Sequence, residues 1–190
     1  MVHRGVHQGH RAAVGMGKGR PEVPLALTEA VLRAASTSTE SVFLPWVAER
    51  VELVWSVDDD VNLGLTRFMG DKVDLVRARR LRLDPGPILI ELHPDLAEEE
   101  AMLHHVYAHE FLHAAGLTMH SEEHDRLTNE VAPSPSMADS PLLQRLRDRL
   151  LAEQPVQSWT CGHCGHTWER TTMRTPTRCL RCARPLRSGR

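Results

Sequence analysis

Cysteine is missing from the first 160 residues of this 190-residue chain. All four cysteines fall between Cys161 and Cys182, so no disulfide framework staples the body. Long apolar runs are missing as well. None approaches the roughly 18 residues that span a bilayer. The opening MVHRGVHQGHRAAVGMGKGR holds no apolar stretch of signal-peptide type. These absences make a cytoplasmic compartment the expectation, nucleoid-associated or nuclear if the protein is linked to DNA. No internal repeat occurs beyond two cysteine knuckles. With 41% hydrophobic residues the chain can build a packed core, which excludes wholesale disorder.

A strong net charge is lacking too, at -2 overall. That average hides three segments. Residues 1–24 carry four basic and one acidic side chain, net +3. Residues 25–155 carry twelve basic and twenty-three acidic, net -11. Residues 156–190 carry seven Arg and one Glu, net +6. An acidic body with two basic ends can still meet a polyanion through an end. Three regions are expected: a disordered basic leader over 1–24 (with Met16 a candidate true start), a body over 25–155, and a small tail over 156–190.

Apolar residues at Leu25, Leu27, Ala30, Val31, Ala34 and Ala35 predict a helix. A short helix around Phe43, Trp46 and Val47 follows, with Pro45 in its first turn. Strands are expected over 51–57, 62–69, 73–83 and 88–92, with turns at 58–60 and 84–87. Glu98, Glu99 and Glu100 favour a helix N-terminus that runs to Ala115, with Gly116 as its cap. Further helices are expected over 121–131 and 141–153, separated by Pro133 and Pro135.

Seven of the twelve histidines lie between His93 and His124. His109-Glu110-Phe111-Leu112-His113 is an HExxH pattern on the long helix. Residues four apart on a helix point the same way, so one cation can take both imidazoles. Glu110 then sits where it can reach a water on that cation. His120 follows the glycine stop and is the expected third ligand. His124 is the alternative, read otherwise as a hydrogen-bonding neighbour or a surface residue. Glu122, Glu123 and Asp125 are remoter options. His104 and His105 read as helix-surface residues, and Tyr107 and His93 as packing. Three protein ligands with an open position describe catalytic zinc, which lowers the pKa of water to about 7. Glu110 is the expected general base.

Cys161, Cys164, Cys179 and Cys182 form two Cys-x-x-Cys knuckles. Four thiolates at this spacing hold a structural zinc in a closed site. His163 and His166 are surplus to it. Metal should supply the folding energy of so short a ribbon, and Trp159 and Trp168 should cover its apolar face. Arg170, Arg174, Arg178, Arg181, Arg184 and Arg187, with Arg190, make a candidate phosphate-contacting surface.

A leading helix, the strand VELVWSV, the strand NLGLTRFM, the segment ILIELHPDL, the HExxH helix and a four-Cys ribbon together resemble the SprT-like metalloprotease family. The resemblance covers roughly residues 26–190. It implies an α+β, zincin-like domain with a small antiparallel β-meander, followed by a zinc ribbon. It also implies a zinc protease acting on proteins, some of them bound or crosslinked to DNA. His109, His113 and His120 would then hold catalytic zinc, Glu110 would be the base, and the four cysteines would hold the ribbon zinc. His124 departs from the aromatic residue that the family often has four positions after the third histidine. The strand over 88–92 is a candidate edge on which a peptide adds by β-pairing. Two other readings compete. HEFLHAAGLTMH is loosely similar to the three-histidine signature of YbeY-like endoribonucleases, which usually lack the glutamate and the four-Cys tail. A non-catalytic zinc-ribbon nucleic-acid adaptor would have no use for Glu110.

Overall fold

The computed structural model describes residues 19–57 and 62–186. The leader before residue 19, the turn expected at 58–60, Arg187 and Arg190 lie outside the described residues. The chain is α+β and divides into two compact units between Pro135 and Ser136.

In the first unit, α1 (Leu25–Ala35) and α2 (Leu44–Arg50) lead into β1 (Val51–Trp55). Then come β2 (Gly64–Phe68), α3 (Lys72–Leu81), β3 (Ile88–Leu92), a 3-10 turn (Pro94–Glu98), α4 (Glu100–Ala115) and α5 (Glu122–Val131). The predicted helix start at Glu98 to Glu100 is thus two events. His93 caps the 3-10 turn, its Nδ1 accepting from the Asp95 N–H at 3.2 Å, and α4 begins at Glu100.

Two expectations about the sheet are corrected. The segment 73–83 is helical over Lys72–Leu81, not a strand. Its inward residues are Leu75, Ala78 and Arg79, which is a helical spacing. The Asp71 carboxylate caps its start by accepting from the N–H groups of Val73 and Asp74. Alternating charge and leucine disguised that helix as a strand with one wet face. The sheet is also not an antiparallel meander. Its order is β1-β3-β2, with β1 parallel to β3 and β2 antiparallel to it. The expected peptide-binding edge over 88–92 is therefore the central strand, with both sides already paired. Ile88, Ile90 and Leu92 alternate onto one buried face.

Helix α4 is the centre of this unit. It packs against α1, α2, α5, β2 and β3. Ten of its sixteen residues are buried, so it is wrapped on most sides rather than amphipathic. Tyr107 confirms its packing role: its hydroxyl pairs with Thr28 Oγ1 of α1 at 2.8 Å. His105 is not a free surface group, because its Nδ1 lies 2.8 Å from the Ala132 carbonyl beyond α5. Gly116 stops α4 at φ +120°, and a Cβ there would stand 2.8 Å from the Glu40 carbonyl oxygen and the Val42 nitrogen.

The second unit holds α6 (Pro141–Ala152) and a hairpin of β4 (Ser158–Thr160) and β5 (Thr167–Glu169). By contacts, α6 groups with the ribbon rather than with the body, where a boundary after 155 had placed it. Gln157 ties the two together, its amide donating to the carbonyls of Leu151 and Ala152 at 3.1 Å each. No described helix is long and apolar enough to cross a membrane.

Candidate metal centres

Helix α4 and the turn after Gly116 bring three imidazoles to one point. The Nε2 atoms of His109 and His113 are 3.2 Å apart, and each lies 3.0 Å from Nε2 of His120. A tetrahedral zinc with Zn–N bonds near 2.0–2.1 Å needs nitrogens roughly 3.3 Å apart. The cage is therefore close to the size of that ion. The surroundings of His109 and His113 favour the unprotonated imidazole that a cation needs. Burial, followed by the neighbouring imidazoles, pushes His109 down to about 3. Burial pushes His113 down to about 4. His113 Nδ1 donates to the Leu117 carbonyl at 2.6 Å, which leaves its Nε2 lone pair for a cation.

His124 is not a surface residue. It is fully buried, and its ring lies 4.3 Å from that of His113 and 4.4 Å from that of His109. Its Nε2 donates to the His109 carbonyl at 3.2 Å, so it does act as a hydrogen-bonding neighbour. Its Nδ1 makes no hydrogen bond among the described residues and stands 3.8 Å from Asp125 Oδ1. His109, His113 and His124 also offer ligand atoms within 4.8 Å of one another. The Nε2 atoms of the set that His120 completes lie 3.0 to 3.2 Å apart. Glu122, Glu123 and Asp125 form the acidic first turn of α5 and join neither histidine set.

Glu110 is buried beside the cage. Burial raises its pKa, against the lowering hydrogen bond from Thr66. The Thr66 hydroxyl lies 2.7 Å from Glu110 Oε2 and 2.8 Å from the Glu110 carbonyl oxygen, and its single proton is shared between these two acceptors. Gly64 lets β2 approach this closely. A Cβ there would meet Val106 at 2.6 Å and the Glu110 side chain at 2.7 Å. Sequence reasoning missed both residues, although a glycine inside a strand pattern is the signal of such an approach. A cavity of about 450 Å³ opens here. Leu65, Phe68 and Leu75 give it apolar walls, and Glu110, His113 and His120 share its lining.

The four cysteines converge as well, with their sulfurs all within 4.8 Å of one another. Cys161 and Cys182 are 3.8 Å apart, and Cys164 and Cys179 3.7 Å. Disulfide sulfurs stand near 2.05 Å, whereas Zn–S bonds of about 2.3 Å put tetrahedral sulfurs roughly 3.8 Å apart. Backbone N–H groups of Cys164 and His163 draw the Cys161 thiol down to about 6. Those of Cys182 and Arg181 lower Cys179. Against the lowering N–H of His166, burial and the neighbouring thiols push Cys164 up to about 11. Such crowding of thiols is relieved by a shared cation. Trp159 and Trp168 face each other in register, with ring centroids 6.3 Å apart. The surplus histidines pack locally: His166 stacks on Trp168, and His163 Nδ1 accepts from Arg184 at 3.1 Å.

The basic set divides. Arg170 is a structural residue. It donates to the carbonyls of Val156 and Met173, and its guanidinium lies 4.8 Å over the Trp159 ring. Arg178 donates to the Ala183 carbonyl. Arg174, Arg178, Arg181 and Arg184 are all exposed.

No family model, curated protein or solved structure matches this chain.

Proposed function

We propose that the chain is a zinc-dependent metallopeptidase of SprT-like, zincin-like type, with His109, His113 and His120 as ligands of the catalytic ion. The observation that carries this reading is the joining of three convergent Nε2 atoms to a buried carboxylate in one cavity. A purely structural ion needs no such carboxylate. When bound, zinc supplies Lewis acidity, lowering the pKa of water and polarising a carbonyl.

The protein's own residues do the rest. Glu110 takes the proton of the attacking water as its oxygen bonds to the peptide carbon. It returns that proton to the leaving amine as the C–N bond breaks. Its raised pKa suits both halves of the transfer. Thr66 fixes one carboxylate oxygen, and Gly64 holds β2 against the helix that carries Glu110. Strand β2 is an edge strand beside α4, so a peptide extended along it passes this carboxylate. The apolar wall of Leu65, Phe68 and Leu75 receives a substrate side chain. The ribbon holds a second, structural zinc and offers Arg174 and Arg181 to DNA carrying the substrate protein.

The test is to incubate zinc-loaded full-length protein with casein or a DNA-binding protein, with and without single-stranded DNA, and separately with RNA. The expected result is protein cleavage that DNA stimulates and that Glu110→Gln abolishes. Cleavage of RNA alone would establish a YbeY-like nuclease instead. Cleavage of neither would leave a nucleic-acid adaptor.

A further inference from the structure

Four residues, Gly116 to Met119, separate the end of α4 from His120. The position of His120 is therefore set by whatever holds this loop. One anchor is His113, through the Leu117 carbonyl at 2.6 Å. Another comes from α3. Arg79 Nη1 donates to the Gly116 carbonyl at 2.8 Å and to the Thr118 hydroxyl at closer range. The Gly116 carbonyl also accepts from the Thr118 N–H at 2.9 Å, which makes it the shared acceptor of the turn. Gly116 cannot shift toward its other side, where Glu40 and Val42 fill the space a Cβ would need.

Helix α3 has little else to do with its inner face. Ala78 is its one buried residue, and Val73 and Val76 are exposed. Its remaining inward residue, Leu75, lines the cavity together with Thr118 and His120. A helix with so small an apolar footing gains position chiefly from its polar tie, and the tie ends on the ligand loop.

We propose that Arg79 is a positioning residue for the third metal ligand: its guanidinium pins Gly116 and Thr118 and so fixes where His120 Nε2 stands. This inference rests on the reading of His109, His113 and His120 as a metal centre. Partners outside the ligand set typically change metal affinity about 10- to 100-fold when removed.

The experiment titrates cobalt into full-length wild type, Arg79→Ala, Arg79→Lys and Thr118→Val, against a chromophoric chelator. The four-Cys ribbon, with its sulfur-to-cobalt charge-transfer band, is the internal control. The expected result for Arg79→Ala is about 10- to 100-fold weaker binding at the nitrogen centre, with an altered d–d spectrum and an unchanged ribbon band. Arg79→Lys should recover part of the affinity, since an ammonium still reaches one carbonyl. Thr118→Val should lose a few-fold, because it removes one of two acceptors. Wild-type affinity and spectrum in Arg79→Ala, with two ions bound per chain, would overturn this inference alone. A wild type that binds one ion, at the ribbon, would overturn the metal centre and this inference together.

Discussion

On the proposed reading, the two clusters of donors differ in the way a working site differs from a staple. The histidine cage stands on a wrapped helix that would keep its packing without an ion. It has three close donors, a buried carboxylate beside them and a cavity in front. The cysteine cluster stands on a hairpin of two three-residue strands and two turns, with four close sulfurs and no carboxylate among its ligating groups. Open coordination on a rigid scaffold suits turnover, and closed coordination on a scaffold without a core suits folding.

Removing the carboxylate breaks this comparison most sharply. Glu110→Gln should lower peptide cleavage about 10²- to 10⁴-fold, while a metal assay still finds two ions per chain. Loss of an ion from the variant would make Glu110 a ligand rather than a base. Next in size is the ribbon. Cys179→Ser should unfold it, seen as loss of the Trp159 and Trp168 signal in near-ultraviolet dichroism, while cleavage of a small peptide persists. Retained tryptophan dichroism would show that the ribbon folds without its fourth sulfur.

Gly64→Ala tests how closely β2 must approach. The added carbon displaces either Val106 or Glu110. An error near 1 Å at a catalytic group can cost about 10²-fold. Activity should fall by that order, with the histidine metal retained, and wild-type turnover would mean the strand yields freely.

Acid should separate the two regions further. His109 and His113 stay unprotonated in the folded protein down to about 3 and about 4. Unfolded histidine takes up a proton near 6.5. Between those values the unfolded chain binds more protons, so stability of the metal-free first unit should fall as pH drops below about 6.5 and keep falling toward 4. A melting temperature flat from pH 7 to pH 4 would contradict the burial of these rings. The smallest effect is expected at Thr66→Val, which removes one hydrogen bond to Glu110. That bond is ordinarily worth about 1 kcal/mol, so the rate should fall roughly fivefold.

Much of this contrast was legible before any fold was known, because both donor sets are partly local in sequence. His109 and His113 share a helix face by spacing alone, Gly116 announces the turn to His120, and two Cys-x-x-Cys pairs announce a closed site. What stayed hidden depends on contacts distant in sequence. Strand β3 is central because β1 and β2 reach it from opposite directions, and its apolar alternation fits an edge strand equally well. The residues 73–83 suit a strand or a helix until Ala78 is buried and Arg79 meets the loop after α4. Thr66 looks like an ordinary polar residue until packing sets it against Glu110, and His124, open by sequence as a ligand, a hydrogen-bonding neighbour or a surface residue, is placed only by its burial beside His109 and His113.

Zinc-edge anomalous diffraction from crystals of the full-length protein tests the account most directly. Two peaks per chain are expected, one among the Nε2 atoms of His109, His113 and His120 with Glu110 outside bonding distance, the other among four sulfurs. A single peak at the ribbon, or a histidine site closed by His124 or Glu110 with His120 turned away, would contradict it.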